Sequence, residues 1–135
     1  SEPEAGFRSS LPNRYVTTQW DAGNGKPNPR YIEPGRRKEI INLYRSEGLP
    51  PVTIGGEARG PLHRSLPHTA YALKHATYHA GVDSGMFHFA QLFLRPDQIH
   101  LYLNRRVSHH ARRAARNGCK INYDGHPWPE ALDQE

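Results

Sequence analysis

Twelve prolines and twelve glycines punctuate this 135-residue chain, and their positions limit where regular structure can run. Proline fixes φ and lacks the amide proton, while glycine loses the most conformational freedom on ordering. The two types crowd into residues 23–35, 48–61 and 118–129, leaving longer windows at 36–47, 68–80, 86–95 and 97–117. Only 36% of the residues are apolar, so the windows have to supply most of the core. A length of this order suits one domain, with arms, rather than two.

Within the windows the apolar spacing reads as helical. Pro34 and Gly48 bracket Ile40, Leu43 and Tyr44, which predicts a helix near 34–47 with Pro50 and Pro51 beyond its end. Ser65 as N-cap, Pro67 in the first turn and Gly81 at the far end predict a second helix over 66–80. Ser84, His88, Gln91 and Arg95 form a polar stripe at i, i+4, i+7 and i+11, which predicts a third over 84–95. Pro96 then opens a fourth, over 96–117. The expectation is therefore a mainly α fold: a small three- or four-helix centre (34–118), a long Pro/Gly-rich extended arm (1–33) and an irregular tail (119–135). Tyr15, Trp20, Tyr31 and Trp128 are the expected single anchors of arm and tail. A competing reading makes MFHFAQLFL and IHLYLN two strands joined by a turn at Pro96-Asp97.

The charge is as uneven as the prolines. The chain carries +5 with histidines neutral, yet residues 58–123 hold ten Lys plus Arg against Asp83 and Asp97, or +8. No acid occurs from Gln98 to Tyr123, whereas Arg105, Arg106, Arg112, Arg113 and Arg116 fall on one predicted helix. Like charges at i, i+4 oppose helix formation, so the arginine face points to an anionic partner: protein, rRNA or lipid headgroups.

Catalytic and metal patterns are weaker. His75 and His79 have the i, i+4 spacing of two imidazoles on one metal, but Ala76 stands where the zincin motif needs Glu. His109 and His110 sit beside arginines, as a general acid and base for phosphodiester cleavage would, yet adjacent helical residues diverge by about 100°. The GNGKP run has Trp20 and Pro27 where a phosphate loop needs glycine and a hydroxyl. Leu43-Tyr44-Arg45 matches the tripeptide of the mitochondrial LYR family, whose motif opens a long helix; here Gly48 and Pro50 end one, so three residues carry no assignment. No cofactor is expected. One cysteine, Cys119, excludes an internal disulfide, and no stretch approaches the ~20 apolar residues of a membrane span.

These features point to a non-catalytic accessory subunit of a large mitochondrial assembly, of the respiratory-chain or ATP-synthase kind. Its partners would be neighbouring protein subunits, met through the arms and the arginine face. Arginine richness, the lack of disulfides and the absence of a starting Met suggest the organelle. The alternatives are a mitochondrial ribosomal or other RNA-binding protein and, from another class, a small His-dependent nuclease.

Overall fold

The computed structural model describes residues 2–21, 31–104, 109–123 and 126–127. Its centre is a β-sheet, which corrects the mainly α expectation. Five parallel strands, β1 (Val16–Gln19), β2 (Pro51–Thr53), β3 (Tyr78–Gly81), β4 (Ile99–Leu103) and β5 (Lys120–Tyr123), lie in the order 2-1-3-4-5. A short antiparallel strand, β6 (His126–Pro127), adds to β5. The helices are α1 (Ala5–Ser10), α2 (Pro34–Ser46), α3 (Pro61–Arg64), α4 (Leu66–His75), α5 (Gly85–Ala90) and α6 (His109–Arg116). Single 3-10 turns span Gly55–Glu57 and Pro96–Gln98.

Three expectations change with the sheet. The arm 1–33 contributes β1, which pairs with β2 on one side and β3 on the other. Its sequence Val-Thr-Thr-Gln shows no alternation because all four residues are buried, as in a parallel strand covered on both faces. The helix expected over 66–80 stops at His75: Ala76 is already extended, and Tyr78–Gly81 forms β3. That separates His75, exposed at a helix end, from His79, buried in a strand, so no i, i+4 face exists to hold a metal. Among the described residues no group of three or more His, Cys, Asp or Glu is arranged to bind one. The fourth helix expected over 96–117 divides into β4 and α6, so IHLYL is a strand, as the competing reading had it, while residues 85–90 are helical.

Alternation in β4 explains the division. Ile99, Leu101 and Leu103 point to one face of the sheet, and Tyr102 to the other. The first face packs against Leu73 of α4, Phe87 and Ala90 of α5, and Ala111 and Ala114 of α6. The second meets Ile40 and Tyr44 of α2, together with Val16, Trp20, Ala80 and Val82. The path steps outward from β1 to β2 and then returns across β1 to β3. Crossovers of one hand therefore put α2 on one face and α4, α5 and α6 on the other.

Tyr15 and Trp20, expected as arm anchors, lie inside this core at 2% and 4% exposure, whereas Tyr31 is exposed beneath the Arg37 guanidinium. Tyr15 donates its hydroxyl proton to the Ala72 carbonyl at 2.6 Å, and burial pushes its pKa up to about 12. Trp128 lies outside the described residues.

Candidate functional site

The order 2-1-3-4-5 reverses direction between β1 and β3. In doubly wound sheets the two flanking connections diverge there and leave a crevice beyond the carboxyl ends of the strands. Two glycines let the backbone close around this crevice. Gly81 ends β3 directly against β1, where an added Cβ would run into the Gln19 carbonyl. Gly55, at φ +83°, turns the chain after β2 so tightly that a Cβ would meet Met86 at 3.0 Å and Gln19 at 3.1 Å.

Polar side chains from four segments gather around the opening. Ser84, following β3, donates its hydroxyl proton to Gln19 Oε1 at 2.5 Å, across the gap between the two strands. The Gln19 amide nitrogen donates to the Asp21 carbonyl, which fixes the amide's orientation. Glu57, in the 3-10 turn after β2, accepts two successive backbone amide protons with Oε1: from Trp20, and from Asp21 at 3.0 Å. Both bonds use the same oxygen, and among the described residues Oε2 accepts no hydrogen bond. On the β3 side Asp83 is buried, with Oδ1 3.8 Å from His88 Nε2. That separation allows charge attraction but is too long for a hydrogen bond. The His110 ring stands edge-on to His88, with centroids 5.0 Å apart, and His109 is beside it at 4.1 Å.

The arginine run maps differently from the prediction. Arg105 and Arg106 lie outside the described residues. Arg112 is half-buried, while Arg113 and Arg116 are exposed in the second half of α6. Because α6 follows β4, its first residues, His109 and His110, belong to the carboxyl edge of the sheet, and Arg116 to the opposite end. Of the residues weighed as chemistry from sequence, the fold therefore places His109 and His110 at this edge of the sheet, His110 against His88. The β1/β3 end gathers three residues that sequence reasoning did not single out: Gln19, Glu57 and Asp83. Ser84 and His88 had appeared as members of a polar stripe. The available signal was Asp83-Ser84-Gly85, a polar triplet between an apolar strand and an apolar helix. Its value becomes clear only once the strand order is known.

No protein-family model, curated protein or solved structure matches the chain.

Proposed function

We propose that this chain is a nucleotide-binding α/β domain that holds a nucleoside phosphate in the crevice between the carboxyl ends of β1 and β3. The observation that carries this reading is the reversal of strand order at β1/β3, bridged by the Ser84–Gln19 hydrogen bond. Ligands of doubly wound sheets sit at such switch points, dinucleotides and FMN among them. The side chains divide the labour in the same sense. His88 and His110 offer imidazole donors for phosphate oxygens on the β3 side, while Ser84, whose proton goes to Gln19, ties that side to β1. Glu57, with one oxygen locked by two amides, keeps Oε2 to accept a ribose hydroxyl. A carboxylate beyond the second strand of a βαβ unit does this in dinucleotide-binding sheets.

The accessory-subunit expectation drew its main support from an extended arm, and that arm now contributes the central strand β1. Docking of an acidic partner on Arg113 and Arg116 stays compatible with nucleotide binding, because those residues lie away from the crevice.

Titration calorimetry of the whole chain with ADP, and separately with pyrophosphate, tests the reading. Both ligands should bind. His88→Ala should weaken both by about tenfold, the equivalent of one charge-assisted hydrogen bond, and Ser84→Ala, which frees Gln19 from the β3 side, by a smaller factor. Glu57→Gln should weaken ADP by a similar factor and leave pyrophosphate unchanged. Absence of binding at about 10 mM of either ligand, a concentration at which even millimolar affinity saturates, overturns the proposal. Binding that is indifferent to all three substitutions overturns it too.

A further inference from the structure

At the opposite, amino edge of the sheet, on the α2 face, the structure contains a second concavity. Its volume is about 540 Å³, and Tyr78, Arg95, Asp97, His100 and Lys120 are among its walls. This is within the size range of small-molecule sites. It arises because α2 covers β1, β3 and the middle of β4 but leaves the starts of β4 and β5 bare. His100 and Lys120 are register partners on those two strands and both reach the bare side.

Among the described residues Lys120 forms no ion pair, and Arg95 uses its Nε on Asp97 at 3.1 Å, leaving its terminal nitrogens. His100 meets this field uncharged: burial, and secondly Lys120, lower its pKa to about 4. Its Nδ1 lies 2.6 Å from the Tyr44 hydroxyl, which lies 3.0 Å from the Tyr102 hydroxyl. Running the donors from Tyr102 to Tyr44 to Nδ1 puts the imidazole proton on Nε2, on the edge of the ring left for the cavity. Tyr78, 4.6 Å from His100 between ring centroids, supplies a flat aromatic wall beside it.

Arg95, Lys120 and Asp97 sum to one positive charge, with a carboxylate on the rim to repel a second negative charge. We propose that this cavity is a second ligand site, taking a small organic monocarboxylate whose anionic group lies between Lys120 and Arg95 and accepts a hydrogen bond from His100 Nε2. The ligand's body rests on Tyr78. The site is on the other edge of the sheet from the nucleotide crevice and does not depend on that reading.

Benzoate is the probe, followed by 1H–15N spectra of the full chain, with benzamide and inorganic phosphate as comparisons. Benzoate should give saturable shifts confined to Tyr78, Gln98, His100 and Lys120, with a Kd of about 1 mM, the level that a few polar contacts sustain. Lys120→Met should raise that Kd about tenfold and Arg95→Gln by a smaller factor. Both residues are exposed, so an unchanged remainder of the spectrum will establish that the variants fold. The proposal is overturned by linear shifts up to about 50 mM benzoate, well beyond the expected Kd. Equal binding of benzamide, stronger binding of phosphate, or indifference to Lys120→Met also overturns it.

Discussion

Two buried histidines make the stability of the fold depend on pH between about 4 and the ordinary histidine range. His79 is 1% exposed on β3, with Nδ1 3.0 Å from Thr17 Oγ1 and Nε2 without a hydrogen-bond partner among the described residues. Burial, and secondly His100, lower its pKa to about 4, and His100 is lowered to about 4 as well. The unfolded chain takes up these two protons near pH 6.5, whereas the fold takes them up only near 4. Between those values the unfolded state binds more protons, so stability is lost as the pH falls and the loss levels off below about 4. From pH 7.5 to pH 5 each histidine costs about 2 kcal/mol, at ~1.4 kcal/mol per pH unit over the part of the shift traversed. His100 is partly open to the cavity, which reduces its share, so the pair costs about 3 kcal/mol, a large part of the 5–15 kcal/mol typical of a domain. Urea unfolding followed by circular dichroism at several pH values reads this directly. With an m-value of about 1.5 kcal/mol/M the midpoint should fall by about 2 M over that interval. His100→Phe should lower the slope by about a third. A midpoint that is constant from pH 7.5 to pH 5 would refute the claim that both rings are held neutral inside the fold.

Two further outcomes follow from the packing. Gly81→Ala should destabilise the protein by about 3 kcal/mol, since the new Cβ meets backbone and not a flexible side chain. Calorimetry should show Tm falling by about 10 °C, and a drop of less than 2 °C would contradict the close β1–β3 approach. Tyr44→Phe removes the hydroxyl that joins His100 to Tyr102 and should cost about 1.5 kcal/mol in urea unfolding, because Tyr102 stays buried and His100 half-buried. Burial first, and then Tyr102, raise the Tyr44 pKa, so its phenol should remain protonated in a spectrophotometric titration up to the pH at which the protein unfolds.

How much of this was legible in the sequence depended on whether local pattern or tertiary context set the element. Pro34 at the first helical position and Gly48 with φ +78° after the last bound α2 almost where they were read. The Ser65 cap likewise marks the start of α4, accepting the His68 amide proton at 3.4 Å. The strands were hidden because a four-residue strand buried on both faces has no period to find. Val16–Gln19 resembles loop, and Tyr78–Gly81 continues the helical spacing of Leu73 and Ala76. In 96–117 the helical pattern was real for Ala111 and Ala114 but coincidental for Ile99 and Leu103, which fit a period of 2 equally well. The crevice was invisible for a further reason. Gln19, Glu57 and Asp83 are separated by 38 and 26 residues and belong to no motif; they meet only through the β1/β3 reversal.

The central strand is where the cost of the site can be seen. β1 buries Thr17, Thr18 and Gln19 at 0%, 1% and 3% exposure, positions at which a parallel sheet ordinarily places valine, isoleucine or leucine. The polar groups of Thr17 and Gln19 are matched by side-chain hydrogen bonds. Thr17 engages a histidine, and Gln19 bridges to Ser84 while holding its own loop through Asp21. Burying such groups without partners costs about 1–3 kcal/mol each, and even fully paired they contribute less than apolar residues of equal size. A chain with 36% apolar residues has little margin for such substitutions in the interior of its sheet. Local rules are broken most readily at functional sites. The polar character of β1 therefore argues, independently of strand order, that its carboxyl end is a place where something binds.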